Sequence, residues 1–147
     1  MQGRKRKGFT LVELILVIGL AALVGAVSAP ALSSFLARGY FTDGVEKIVR
    51  TLRTAQNYSF SGKEDSSWGV HYEPGKLVLF KGLDYATRDP SFDAETNLPS
   101  AVVVTGWVDL SFERLRGLPS ATPNILIEVL GRAGFVSVGA EGAINRP

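Results

Sequence analysis

The first apolar stretch of the chain is long and uninterrupted. From Leu14 to Ala37 there is no ionisable residue, which makes a span of 24 residues, and its first half has no polar stripe. A helix needs about 20 apolar residues to cross the hydrocarbon core of a bilayer. A helix buried in a soluble core normally keeps a polar face. The pattern therefore predicts a membrane-spanning helix.

After this stretch the pattern becomes amphipathic. Apolar residues recur at helical spacing, which predicts that the helix runs on and packs one face against other elements. The recurring positions are Phe41, Val45, Ile48, Val49, Leu52 and Ala55. We expect one helix from about Thr10 to about Ser59, weakened near the glycines Gly39 and Gly44. Its basic residues Lys47, Arg50 and Arg53 are interrupted by Glu46, which favours a solvated face over a row of DNA phosphate contacts.

The remaining sequence alternates in the manner of strands and turns. Trp68, Val70 and Tyr72 alternate before a Pro-Gly turn at residues 73–76, and residues 77–80 continue as a second strand. Further extended segments are predicted at residues 100–105 and 108–112, and residues 125–130 and 135–138 flank a hairpin turn at 131–134. Residues 82–99 are expected to form a polar loop. Together these patterns predict an α+β fold, in which a long N-terminal membrane-spanning helix packs on a C-terminal antiparallel β-sheet head.

Composition leaves little room for catalysis. The chain has no cysteine and one histidine, His71, which argues against disulfides, thiolate metal clusters, a His-based zinc site and a Ser-His-Asp triad. No phosphate-binding glycine loop or nucleophile elbow occurs. We expect no enzyme activity, no cofactor and no metal. Oxygen ligands for calcium could come only from a set of acidic residues whose spacing does not match an EF-hand, so a solvated loop is favoured. That set is Asp84, Asp89, Asp93 and Glu95. Trp107 is expected to pack in the core, although exposure for a binding partner is the alternative.

Charge is distributed unevenly between the start of the chain and the rest. Four consecutive basic residues, at positions 4–7, precede the apolar stretch, and residues 9–147 hold 12 basic and 14 acidic residues, a net charge of −2. A basic segment before an apolar helix places that end in the cytoplasm. The head is then expected outside the cytoplasm. A secretory signal with cleavage near Ser28–Ala31 is the alternative, but its apolar region would be shorter, about 7–15 residues.

Glu13 is a carboxylate at the edge of the apolar stretch. An ionised side chain costs about 2.5–3.5 kcal/mol at the bilayer centre and less near its edge, and the next basic residue is Arg38. Two interpretations remain open. Thr10-x-x-Glu13 matches a capping box at the start of a helix. Alternatively, Glu13 pairs with a positive group supplied by another chain.

The segment Lys7-Gly8-Phe9-Thr10-Leu11-Val12-Glu13-Leu14 resembles the leader and cleavage site of type IV pilins and type II secretion pseudopilins. The resemblance implies that a prepilin peptidase/methyltransferase cuts after Gly8 and N-methylates Phe9. It also implies that Glu13 meets the amino group of Phe9 of a neighbouring subunit, and that Pro30 bends the helix. The expected domains are a cleaved leader (1–8), a transmembrane and filament-core helix (9–37), and an amphipathic helix with a β-rich head (38–147).

The later part of the chain is similar to the head of GspH/FimT-type pseudopilins, through the order of helix, paired strands and late hairpin. This resemblance implies a subunit of a type II secretion pseudopilus or type IV pilus, held in the inner membrane before it joins other pilins or pseudopilins in a filament. Two alternatives stay open. One is a minor pilin that binds DNA through clustered arginines, for which the candidates are Arg114, Arg116, Arg132 and Arg146. The other is a single-span membrane anchor with a ligand-binding or enzymatic head.

Overall fold

A computed structural model of the chain describes residues 8–147, except for the side chains of residues 27–31. Its first element is the helix α1, Leu11–Phe60, which has 50 residues. The predicted helix, Thr10 to Ser59, is therefore confirmed to within one residue at each end. Residues 1–7 of the leader and the side chain of Pro30 fall outside the described residues, so the cleavage of the leader and the bend at Pro30 stay predictions.

The rest of the chain forms two four-stranded antiparallel sheets. The first sheet has the strand order β3-β2-β1-β5 and the second has the order β4-β6-β7-β8. The strands are β1 Trp68–Glu73, β2 Lys76–Lys81, β3 Ala94–Asn97, β4 Val103–Thr105, β5 Leu110–Phe112, β6 Asn124–Val129, β7 Arg132–Val138 and β8 Ile144–Asn145. Three short 3-10 helices lie at Lys63–Asp65, Tyr85–Thr87 and Pro90–Phe92. The α+β fold class, a long N-terminal helix packed on antiparallel sheets, is confirmed.

The described chain divides into two units between Leu36 and Ala37. In the second unit, the residues of α1 that were predicted to face the sheets do so, and Ile48, Leu52 and Ala55 are fully buried. They join side chains from both sheets in one core. Hydrophobic burial of this stripe holds the second part of the helix against the sheets.

Gly44 contributes to this packing rather than to the expected weakness of the helix. A Cβ atom added at Gly44 would lie 2.8 Å from Cγ2 of Val102, which is closer than any ordinary contact. The missing side chain therefore lets the segment after β3 approach the helix. At Gly39 nothing lies within 4 Å of such a Cβ atom, so no comparable packing role exists there.

The predicted polar loop at residues 82–99 is partly wrong, because the segment has regular structure. It contains two of the 3-10 helices and then β3, which pairs with β2 in antiparallel register. The segment covers the face of β2 opposite the main core, where the Phe80 ring meets Tyr85 edge-on with centroids 5.5 Å apart. The four strand residues of β3 are polar or small and mostly exposed, so they carry no alternating apolar signal.

The hairpin between β6 and β7 turns earlier than predicted. Arg132 already pairs with Val129, so the turn consists of Leu130 and Gly131 rather than residues 131–134. Both turn residues have positive φ, 47° at Leu130 and 83° at Gly131. Such a two-residue turn matches the right-handed twist of the paired strands. β8 at the edge of the same sheet was not predicted, since it is only two residues long.

Candidate functional site

The residues that carry the processing and assembly predictions lie at the start of α1. The backbone N–H of Glu13 donates a hydrogen bond of 3.2 Å to Oγ1 of Thr10, and the N–H of Leu14 donates to the Thr10 carbonyl at 3.1 Å. Thr10 thus caps the helix, as its preference for such positions predicts. One of the two hydrogen bonds of the predicted capping box is present.

The carboxylate of Glu13 does not complete the box. It makes no hydrogen bond or ion pair with any residue that the structure describes, and the side chain is exposed. Its position in the first turn favours a negative charge, because the free N–H groups at a helix start carry partial positive charge. The carboxylate is therefore available to a positive group from another molecule.

Gly8 and Phe9 precede the helix in an accessible segment. Nothing lies within 4 Å of a Cβ atom added at Gly8, and the Phe9 side chain is 83% exposed. The peptide bond between them is outside any secondary structure. A peptidase that binds its substrate as an extended strand can reach such a bond without unfolding the helix.

The helix that follows presents apolar side chains on every side. From Leu11 to Ala26 all residues are exposed, and the bulky residues among them are 53–72% exposed. Isolated Leu or Ile residues at a surface are common, but a contiguous apolar surface of this kind marks a contact with a membrane or with other proteins. Within the residues that the structure describes, no helical stretch combines the length and the apolar character needed to cross a membrane. Residues 27–31 of the predicted span belong to the part whose side chains are not described.

The acidic residues of the segment 84–95, weighed above as calcium ligands and expected in a solvated loop, help to build the segment itself. Asp84 accepts a hydrogen bond from the Ala86 N–H, and Asp89 accepts one from the Ser91 N–H at 3.0 Å. Each thereby caps the first turn of a 3-10 helix. The hydrogen bonds from Ser91 also lower the pKa of Asp89.

The other two acidic residues of the loop are paired with basic side chains. Asp93 accepts from Nε of Arg88 at 2.8 Å, and Glu95 accepts from Nζ of Lys76 at 2.6 Å. No group of three or more potential metal ligands exists among the described residues. The structure therefore assigns these carboxylates to loop geometry and ion pairs.

His71, on β1, packs against the segment 84–95. Its ring stacks on Tyr85 with centroids 3.7 Å apart, and Nδ1 lies 2.6 Å from Oδ1 of Asp109. On the other side of the Tyr85 ring, the Arg88 guanidinium lies 3.6 Å from the ring centroid. The imidazole is thus held between a carboxylate and an aromatic ring, as expected for a structural histidine.

The Tyr85 hydroxyl extends this network to Glu73. It donates to Oε1 of Glu73 at 2.9 Å, and this hydrogen bond, followed by one from Lys76, lowers the pKa of Glu73. Burial and the same hydrogen bond raise the pKa of Tyr85, which keeps the phenol protonated as a donor. The network ties residues 84–95 to β1.

Trp107 is half-buried and packs against the core, in contact with Tyr72 at a centroid distance of 5.8 Å. Its Nε1 atom is buried without a hydrogen-bond partner among the described residues. The predicted packing role is therefore the one that the structure shows.

The four arginines proposed for DNA binding are placed differently from one another. Arg114 pairs with Asp65, and Arg116 pairs with Glu113 at 3.2 Å. Arg132 lies at the start of β7. Arg146 faces α1, where it lines a groove with Arg50 and Arg53. The sequence did not predict this groove, because Arg146 is distant from the helix along the chain.

The N-terminal segment is similar to that of known proteins. Residues 3–29 match the family model of the prokaryotic N-terminal methylation motif. The chain is 40% identical over 45 residues to the prepilin peptidase-dependent protein D of Escherichia coli (strain K12), a match that covers 31% of each chain. It is 34% identical over 77 residues to a fimbrial protein of Moraxella nonliquefaciens, covering 48% of this chain and 50% of the relative.

The fold is similar to that of a solved structure. The chain resembles the minor pseudopilin EpsH from the type 2 secretion system of Vibrio cholerae with a TM-score of 0.55, over 73% of this chain and 95% of EpsH. Residues 3–29 therefore carry the N-terminal methylation motif, and the chain has the fold of a pseudopilin. At 10% identity, the likeness to EpsH shows the fold alone. The chain spans about a third of the length of E. coli protein D and about half of the length of the Moraxella fimbrial protein.

Proposed function

We propose that this chain is a filament subunit of a type II secretion pseudopilus or a type IV pilus, cut after Gly8 and N-methylated at Phe9. One observation carries the proposal. An accessible Gly8-Phe9 bond leads into a helix whose residues from Leu11 to Ala26 are all exposed, and Glu13, the one carboxylate of that stretch, pairs with no described residue. A helix of this kind needs other molecules to cover it.

The role proposed for Glu13 follows from the charge that cleavage creates. Cutting after Gly8 exposes an α-amino group, whose usual pKa of about 7.7–8.0 leaves it largely cationic at neutral pH. The amino group of Phe9 in one subunit would pair with Glu13 of its neighbour. Such a pair offsets the desolvation of both groups inside a helix bundle and fixes the axial register of the helices.

Before assembly we propose that the helix resides in the inner membrane with the head outside the cytoplasm. The uninterrupted apolar stretch and the basic leader support this placement. In the filament, the same side chains would pack on neighbouring helices. Gly19 and Gly25, whose surroundings are open, support close approach between helices.

Processing is tested by mass spectrometry of the full chain expressed with a prepilin peptidase. We expect a product that begins at methylated Phe9. The variant Gly8→Val should stay uncut, because a side chain at this position obstructs entry into a narrow peptidase cleft. The matched variant Gly3→Val should be cut normally. An intact leader on the unmodified chain in membranes that process other prepilins would refute the processing step.

Assembly is tested with Glu13→Ala. The variant should be cleaved and inserted but enter filaments poorly, because only the charge pair between subunits is lost. Glu141→Ala, which removes an exposed carboxylate from the head, serves as the control and should assemble normally. Filament incorporation of Glu13→Ala at the level of the control would contradict the proposed pairing.

A further inference from the structure

The arginine groove, defined by Arg50, Arg53 and Arg146, is a cleft on the described head with a volume of about 360 Å³. Two of its arginines come from the outer face of α1 and the third from the segment after β8. Thr54 and Asn57 add a hydroxyl and an amide, and Glu46 adds a carboxylate to the lining. Three guanidinium groups therefore converge on one concave surface.

These three guanidinium groups differ from most basic side chains of the head in making no ion pair, although Glu46 lies in the same lining. None of them makes an ion pair with a residue that the structure describes. Most of the other basic residues of the head form an ion pair with a carboxylate, and one, Lys63, lies over aromatic rings. These residues are Lys47, Lys63, Lys76, Lys81, Arg88, Arg114 and Arg116. Like charges placed side by side repel. An anionic ligand in the groove would remove this repulsion.

We propose that the arginine groove binds carboxylates from the acidic segment, residues 84–95, of a second copy of this chain. The inference deepens the proposed function and rests on it, because it assigns a head-to-head contact between filament subunits. The acidic segment carries four acidic residues and one basic residue, a net charge of −3. Its charge and that of the groove are thus complementary.

Two carboxylates of the acidic segment are free to make such a contact. Asp84 and Asp89 are exposed, and each uses only one oxygen, Oδ1, for its cap. The second oxygen of each remains available to a guanidinium. The caps also fix the orientation of both side chains, so less side-chain entropy is lost when they bind. Because hydrogen bonds from Ser91 lower the pKa of Asp89, this carboxylate stays ionised over a wide pH range.

A carboxylate-bearing protein segment suits the groove better than nucleic acid does. Residues 37–147 hold 12 basic and 13 acidic residues, a net charge of −1, whereas nucleic-acid-binding domains are typically strongly basic. Glu46 in the lining would also repel a phosphate backbone. The groove is compact, which fits a short acidic loop rather than an extended duplex.

The contact can be tested by cross-linking because the full chain contains no cysteine. Asn57→Cys places a thiol in the groove, and Thr87→Cys places one in the acidic segment. Full-length chains carrying one or the other are mixed in detergent and oxidised. We expect the mixed disulfide-linked dimer to form about tenfold faster than with Ser100→Cys, an exposed control outside the acidic segment.

Charge reversal then tests the ion pairs. Arg50→Glu with Arg53→Glu in the groove chain should slow cross-linking about tenfold, the factor expected when several exposed ion pairs become like-charge contacts. Asp84→Arg with Asp89→Arg in the other chain should restore the rate. Arg132→Glu is the matched control and should change nothing, because Arg132 is an exposed residue of β7 that makes no ion pair with a described residue. All of these side chains are exposed, so the head should fold in each variant. Asp84→Arg and Asp89→Arg also remove the caps of two short 3-10 helices, so the thermal unfolding of that chain is compared with that of the unmodified chain.

Three outcomes would overturn the inference: equal cross-linking from positions 87 and 100, insensitivity to charge reversal in the groove, or salt-dependent binding of a short DNA duplex that Arg50→Glu with Arg53→Glu abolishes. The last result would assign the groove to nucleic acid. If the unmodified chain is still cut after Gly8 and enters filaments, these failures leave the proposed function intact. An uncut leader would refute the proposed function whatever the cross-linking shows.

Discussion

We expect the replacement of Gln56 to destabilise the head, because its side chain makes two hydrogen bonds to distant parts of the chain. Its side-chain amide Nε2 donates to the carbonyl of Gly142 at 2.9 Å and to that of Gly117 at 3.2 Å. These carbonyls lie in two separate loops, 61 and 86 residues along the chain from Gln56. One amide therefore ties α1 to both loops. A Cβ atom added at Gly142 would lie only 2.4 Å from Nε2, which shows how closely this loop is drawn to the amide.

The substitution Gln56→Ala should lower the free energy of unfolding by about 1–2 kcal/mol. Each hydrogen bond contributes about 0.5–1.5 kcal/mol net, and the higher helix propensity of alanine recovers a few tenths. For a head of this size the loss corresponds to a fall in Tm of roughly 4–10 °C. Replacing the amide by Gln56→Glu should cost more at neutral pH, because a carboxylate would then face two carbonyl oxygens. That difference should shrink in acid, where the protonated carboxyl can donate.

The assay is thermal and urea unfolding of the full chain in detergent, followed by the near-ultraviolet signal of Trp68 and Trp107. Asn57→Ala is the matched control, since the neighbouring amide is exposed and makes no hydrogen bond with any described residue. We expect the control to unfold at or slightly above the original temperature. Equal stability of Gln56→Ala and Asn57→Ala would refute the view that this amide ties the loops to the helix.

Two further substitutions, Gly69→Ala and Tyr85→Phe, test the packing around Phe80 and the hydrogen bond between Tyr85 and Glu73. Gly69→Ala should destabilise the head by about 1–3 kcal/mol, because a Cβ atom there would lie 2.4 Å from the Phe80 ring and 2.7 Å from the Leu110 carbonyl. Gly39→Ala, in open surroundings on α1, should be neutral or slightly stabilising in the same unfolding assay, and equal effects of the two would contradict the packing argument. Tyr85→Phe should raise the pKa of Glu73 toward its usual value, measured by NMR titration, because the Tyr85 hydrogen bond is the main cause of the lowered pKa. The stabilisation from Glu73 exists above its usual pKa and is lost as the pH falls through its lowered value, so Tyr85→Phe should cost stability at neutral pH and little in acid. Tyr58→Phe is the control, and an unchanged Glu73 pKa in Tyr85→Phe would be the contrary result.

The N-terminal segment could be interpreted from sequence because its features are local. Four features lie next to one another: the basic leader, the Gly8-Phe9 pair, Glu13 and the apolar stretch. The role proposed for each depends mainly on its own side chain or its immediate neighbours. The helix and its buried face were predictable for the same reason, since one face of a helix is set by residues three and four positions apart. Glu13 is the exception, because the ion pair proposed for it needs a second subunit.

The head was less predictable wherever residues distant along the chain meet. β3 has no apolar alternation and is a strand only because β2 offers it a pairing edge. The acidic residues at 84–95 were expected in a solvated loop, but in the structure they form caps and ion pairs with Arg88 and Lys76. Such assignments depend on which side chains folding brings within hydrogen-bond distance.

The sequence by itself therefore determined the α+β fold class, the long helix and the residues proposed for processing and assembly. The tertiary structure decided which charges are neutralised within the molecule and which are left for other molecules. It brought Arg146 beside Arg50 and Arg53 and joined Gln56 to two distant loops. The physical reason is that hydrogen bonds and ion pairs act over a few ångströms in space, whereas a sequence pattern records only separation along the chain.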